Sequence, residues 1–220
     1  MKSLILASAS PRRKELLTLL DLPFQTYSAD IDESLPANIT PLVAVEQLAR
    51  KKAQAVFHEH KQSIVIGCDT IVVLGEKILG KPADSEDAFS MLSQLSNRTH
   101  EVYTGVCIMS EQRTIVFHEV TNVTFWKLNQ QDINAYIDSG EPFDKAGAYG
   151  IQGKAALFVK AISGDYYSPF KPDKNEDKLN NDRDRGGNEC RRGRRPQIGH
   201  GDDVLNGRRT GSNHGDRPAS

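Results

Sequence analysis

The stretch that most constrains this chain is Leu4-Ile5-Leu6-Ala7 running into Ser8-Ala9-Ser10-Pro11-Arg12-Arg13-Lys14-Glu15-Leu16-Leu17. Four apolar residues in a row fit a strand buried on both faces. Ser10 then reads as an N-cap and Pro11 as the first helical residue, where its missing N–H costs nothing. A helix running on through Leu16, Leu17 and Leu20 has free amide donors and a positive dipole end beside two serines and two arginines. Such a place suits an anion, phosphate above all. The alternative is a capped amphipathic helix whose arginines are merely solvated.

The following residues alternate helix and strand before a long hairpin intervenes. Phe24–Ser28 fits a short strand and leads into the acidic loop Asp30-Ile31-Asp32-Glu33-Ser34. Pro41 opens a helix over about 41–58, with Val45, Leu48, Ala49, Ala53 and Val56 in one stripe. Residues 63–68 read as a central strand ending at Asp69-Thr70; 71–74 continue extended, Gly75 turns, and 78–82 return. A helix over about 85–95 has Asp84 or Ser85 as its cap. Val102–Met109 and Ile115–Trp126 form an antiparallel hairpin. Asn129 caps a helix of about 130–139, the run from Asp144 to Lys154 is glycine-rich, and Ala155–Ile162 reads as a further strand. The fold class is therefore α/β, a mixed twisted sheet with flanking helices and a long antiparallel hairpin.

Past Ser168 the character changes. The last 52 residues hold seven apolar ones and no period, too little to offset the entropy of ordering them. The chain thus divides into a domain over 1–168 and a polar, Gly/Arg-rich tail over 169–220. Charge divides the same way: 16 Lys and Arg against 20 Asp and Glu in the first part, 12 against 9 in the second. A mildly acidic body argues against nucleic acid as a partner; Arg191-Arg192-Gly193-Arg194-Arg195 could touch nucleic acid or anionic lipid, or be a solvated tail without function. Cys68, Cys107 and Cys190 lie far apart with no CxxC spacing, as in a reducing compartment. With no leader pattern and no membrane-length apolar run, a soluble cytoplasmic protein is expected.

Ligands of α/β sheets gather beyond the carboxyl ends of strands, where Ser8, Ser10, Asp69 and Thr70 fall. A carboxylate directly after an apolar strand suits metal coordination or a general base, though it is also an ordinary turn former. Glu33 and Asp32 could add carboxylate oxygens to a Mg²⁺, or sit in a merely solvated acidic loop. Lys81 and Lys145 occupy Gly/Pro-punctuated loops, and Lys52 borders a helix stripe. The amide of Gln152 could read a base edge or bond its own loop. The six histidines show no ligand spacing and read as surface residues; Trp126 and the Phe/Tyr set read as core or pocket wall. Many cations with few carboxylates imply a polyphosphate ligand with Mg²⁺.

The segments LASASPRRKELL (6–17), LARKKAQAV (48–56), VIGCDTIV (65–72), LGKPADSEDA (79–88) and EPFDKAGAYGIQGKAALFVKAISGDYYS (141–168), with the acidic loop through Glu33, carry a resemblance. In this order they resemble the Maf-like nucleoside triphosphate pyrophosphatases, a family related in fold to the inosine triphosphate pyrophosphatases. The resemblance implies a cleft between two lobes and hydrolysis of a nucleoside triphosphate to monophosphate and pyrophosphate. It implies Asp69 as proton acceptor, with Glu33 sharing a divalent metal: Mg²⁺, or Mn²⁺ or Co²⁺ in its place. Ser8, Ser10, Arg13, Lys52, Lys81 and Lys145 would take the phosphates. Arg12, Thr70 and Gln152 match the family branch acting on dTTP and UTP; the branch acting on 7-methyl-GTP has Trp, Gln and Glu there. A homodimer and a link to septum inhibition also follow from the family, so a non-catalytic division regulator binding nucleotide or DNA is the rival reading. The chain departs from the family after Ser168, where Pro169-Phe170-Lys171 and the tail replace a Val-Gly-Leu-Pro segment and a final amphipathic helix.

Overall fold

The apolar run forms β1 (Leu4–Ala7) and Pro11 opens α1 (Pro11–Thr18) in a computed structural model that describes residues 2–36 and 39–164. The expected tail over 169–220, and the expected domain end at 168, lie outside the described residues. β2 (Phe24–Thr26) pairs parallel with β1 on one side, and β3 (Ile64–Leu74) pairs parallel with it on the other, reached through α2 (Pro41–Glu59). Four antiparallel strands follow: β4 (Lys77–Leu79), β5 (Thr99–Met109), β6 (Thr114–Phe125) and β7 (Val159–Ser163). The order is β2-β1-β3-β5-β6-β7, with β4 also on β3. Two further helices, α3 (Ser85–Leu95) and α4 (Gln130–Ile137), complete the expected mixed sheet with flanking helices. Thr40, Asp84 and Asn129 cap α2, α3 and α4 by accepting from the amides of Val43, Asp87 and Asp132.

What positions the site is an interruption beside β3. One edge of this strand pairs with β5 continuously from Val65 to Val73. The other pairs with β1 only as far as Gly67 and with β4 only from Val72. Residues 68–71 therefore present an unpaired edge inside the sheet. The core divides around the same gap. Ile5, Ala7, Ala49, Ala53 and Val65 pack between sheet and α2, and Leu6, Leu17, Ile66 and Cys68 pack beneath α1. Beyond the gap, Val72, Leu79, Leu92, Phe125, Tyr136, Tyr149 and Phe158 form a third cluster.

Four expectations need correction. The first helix stops at Thr18 rather than reaching Leu20, because the amides of Leu19 and Leu20 turn to the carbonyls of Leu16 and Leu17, and Asp21 adopts a φ of 52°. The strand expected over 155–162 is a 3₁₀ turn over Lys154–Phe158 followed by β7. Ala155 and Phe158, three apart, both reach the core while Leu157 is 83% exposed, a period of three rather than two. His100 is not at the surface but 2% exposed, since β5 begins at Thr99 and not at Val102. Its Nε2 forms a 2.6 Å hydrogen bond with the Tyr149 hydroxyl, and burial lowers its pKa to about 4, leaving a neutral ring. Trp126, expected in the core or pocket wall, is 52% exposed, with the Lys160 ammonium 5.2 Å from its ring centre.

Candidate active site

The gap beside β3 opens into a cavity of about 680 Å³, and Asp69 and Thr70 line it from the unpaired edge. Asp69 is buried, with the Lys52 ammonium 2.5 Å from its Oδ1. Lys52 projects from the middle of α2, and the same ammonium meets Glu33 Oε1 at 2.7 Å, from the loop before that helix. One cation thus balances two carboxylates brought from a strand and a loop. The hydrogen bond from Lys52 holds Glu33 below the usual carboxylate range. Lys81, well exposed, stands 3.9 Å from the other Glu33 oxygen.

An unpaired strand edge leaves backbone groups without sheet partners, and Arg13 answers one of them. Its Nη1 donates to the Cys68 carbonyl at 2.8 Å and to Ser8 Oγ at 3.3 Å, while Nη2 donates to Thr70 Oγ1 at 3.1 Å. The two residues flanking Asp69 are therefore tied to α1 by one guanidinium. Ser10 holds the N-cap position of α1, yet its side chain makes no capping bond; its amide donates to Ser8 Oγ at 3.2 Å.

Across the cavity runs the glycine-rich segment. Lys145 Nζ donates to the Glu141 carbonyl and to Asp144 Oδ1, each at 2.5 Å. Arg12 and Lys145 lie over Gly150 so closely that a Cβ there would collide with Arg12 Nη1 and come within 2.9 Å of Lys145 Cδ. Gln152 is exposed on the same wall. Ser8, Ser10, Arg12, Arg13, Glu33, Lys52, Asp69, Thr70, Lys81, Lys145 and Gln152 all line this one cavity, whereas Asp32 does not and its carboxylate accepts from Ser34 instead. Five cations (Arg12, Arg13, Lys52, Lys81, Lys145) face three carboxylates (Glu33, Asp69, Asp144), a surplus that favours a polyanion.

Sequence reasoning missed the hairpin's share. Val102, Thr104, Thr121 and Val123 line a more apolar bay, with Thr104 Oγ1 3.5 Å from Thr70 Oγ1. Cross-strand register puts Thr70 opposite Thr104 and Val102 opposite Thr121. The two-residue period of the hairpin was the available signal, but which face it turned to the cleft depends on that register. Asp144 and Tyr149 were also missed; nothing local marks either.

Glu33 and Asp69 already converge on one cation, the Lys52 ammonium. Two hard carboxylates from separate elements fit Mg²⁺, which takes one or two carboxylates and fills its shell with phosphate oxygens and water. Among the described residues no group of three or more His, Cys, Asp or Glu gathers as an all-protein metal cage. No helix among them is long and apolar enough to cross a membrane.

A mixed sheet whose interrupted edge holds a carboxylate inside a ring of cations defines an α/β protein with an anion-binding cleft. The chain belongs to the Maf family: the family described as "Maf-like protein" matches residues 3–168. It is 54% identical over 168 residues to a protein of Bacillus cytotoxicus named dTTP/UTP pyrophosphatase, covering 76% of this chain and 88% of that relative. A protein of Bacillus mycoides with the same name is 51% identical over the same shares. Among solved structures, the Ham1 protein of Staphylococcus aureus aligns with a TM-score of 0.37 and 12% identity, over 56% of this chain and 72% of that one.

Proposed function

We propose that this chain hydrolyses dTTP and UTP to the monophosphate and pyrophosphate. The observation that carries this reading is the cleft itself, whose lining brings a buried carboxylate, five cations and a neutral amide around one cavity. Two relatives at half identity or better, both named dTTP/UTP pyrophosphatase, support the substrate.

In this reading the triphosphate lies between the start of α1 and the glycine-rich segment. Ser8, Ser10, Arg12 and Arg13 contact it from one side, Lys81 and Lys145 from the other. The cations neutralise charge that builds on the leaving pyrophosphate as the bond to the α-phosphorus breaks. Asp69 accepts the proton of the attacking water, and the Lys52 ammonium on its Oδ1 holds the carboxylate in place. Glu33 and Asp69 would hold a divalent cation, which would screen the phosphate oxygens and acidify a bound water. The Gln152 amide can meet both the donor and the acceptor on a thymine or uracil edge, where a carboxylate could serve only donors. The threonine-lined bay of the hairpin receives the base or sugar.

The reading is tested by incubating the purified chain with dTTP, UTP and 7-methyl-GTP in the presence of Mg²⁺ and following pyrophosphate. Release from the two pyrimidine nucleotides at least tenfold faster than from 7-methyl-GTP is expected. A preference for 7-methyl-GTP would overturn the assignment of Arg12, Thr70 and Gln152, and no release from any of them would overturn the activity.

A further inference from the structure

We propose that the buried hydrogen bond between His100 and Tyr149 anchors the glycine-rich wall of the cleft, making both of them positioning residues for nucleotide affinity. The inference rests on the pyrophosphatase reading for its substrate, but its structural half stands on the loop alone.

Gly147 to Gly150 are four consecutive buried residues outside any strand or long helix. Gly147 has a φ of 66° and Ala148, which carries a Cβ, a φ of 61°. A non-glycine residue stays in this left-handed region only where its surroundings over-determine it. The near end of the bend is fixed by the Gly147 amide, which donates to the Gly80 carbonyl at 2.9 Å. Val72 packs beneath so tightly that a Cβ on Gly147 would come within 2.9 Å of its Cγ1. The far end is fixed by Tyr149. Its ring stands edge-on to Phe125 at 4.7 Å and to His100 at 5.3 Å, and its hydroxyl meets His100 Nε2 at 2.6 Å.

The imidazole is there for that bond. His100 Nδ1 is buried without a hydrogen-bond partner, so the ring bonds through Nε2, and a phenylalanine in this place would leave the buried Tyr149 hydroxyl without that partner. What the imidazole adds is the contact at Nε2. The residue after Tyr149 is Gly150, the surface against which Arg12 and Lys145 lie, and two further on is Gln152. Slack at Tyr149 therefore shifts Gly150 and Gln152 relative to Arg12. Asp69, Lys52 and Glu33 sit on β3, α2 and the loop before α2, and stay where they are.

The test compares wild type with Tyr149→Phe, His100→Phe and the double variant. Three readouts are taken: steady-state kinetics with dTTP, amide hydrogen exchange over 146–152 without nucleotide, and thermal melting. Each single variant is expected to raise KM about tenfold with kcat within about twofold, the double being no worse than either single. Exchange over 146–152 should accelerate in all three. A lowered melting temperature with unchanged KM and unchanged exchange would reduce the pair to core packing and overturn the proposal, as would a fall in kcat at constant KM. If wild type cleaves none of the nucleotides, the pyrophosphatase reading fails on its own. The exchange comparison still decides the anchor: faster exchange over 146–152 in Tyr149→Phe supports it, and unchanged exchange overturns it.

Discussion

Asp69→Asn is expected to lower kcat for pyrophosphate release about 10³-fold, or about 4 kcal/mol in activation free energy, with KM within about threefold of wild type. Asparagine matches aspartate in volume, so the buried site on β3 keeps its packing. Lys52 loses its 2.5 Å partner at Asp69 but retains Glu33 at 2.7 Å, so its ammonium is not stranded. The cleft becomes more positive by one charge, which does not weaken its hold on a triphosphate. What disappears is the acceptor for the water's proton, needed only as the bond forms, together with one of the two carboxylates assigned to the divalent cation, of which Glu33 remains. Steady-state kinetics of both proteins, alongside their melting curves, check this. A kcat within tenfold of wild type would assign the base to another group.

The second large effect is on folding. Gly105→Val is expected to destabilise the chain by more than about 4 kcal/mol, lowering the melting temperature by roughly 8–16 °C or leaving the protein insoluble. The reason is close approach, not backbone conformation. A Cβ at Gly105 would run into the Val45 carbonyl group, its carbon 2.7 Å away, and meet the Glu46 amide nitrogen at 3.1 Å. Gly67, on the neighbouring strand, abuts the same helix in the same way, a Cβ there lying 2.5 Å from the Ala53 amide. Backbone cannot swing aside as a side chain can, so α2 must lift. That helix buries Ala44, Val45, Leu48, Ala49, Ala53 and Val56 and also carries Lys52 to Asp69. Gly80→Ala, where a Cβ meets nothing within 4 Å, serves as the control and should melt within about 2 °C of wild type. Equal melting of Gly105→Val and wild type would contradict the packing described for α2.

Much of this was legible in the sequence because local physics carried it. Pro41 at a helix start, a cap at Asp84 or Ser85 and a cap at Asn129 announced three helices, and alternating polarity announced the hairpin. Lys81 and Lys145 stood out because a charge in a Gly/Pro-punctuated loop has no helix face to solvate, and both line the cleft. The gap beside β3 was not legible, since it depends on where β1 and β4 stop pairing with it, and pairing is a tertiary property. Arg13 shows the same limit. Its charge suggested phosphate, but its bonds to Cys68 and Thr70 join residues more than fifty positions apart. His100 was misplaced because a strand start moved by three residues turns a loop histidine into a core one.

The central claim is that water attacks the α-phosphorus within this cleft. The direct measurement is hydrolysis of dTTP in ¹⁸O-labelled water, with mass spectrometry of both products. The account predicts the label in thymidine monophosphate and unlabelled pyrophosphate. Label in the pyrophosphate, or release of orthophosphate in its place, would contradict it.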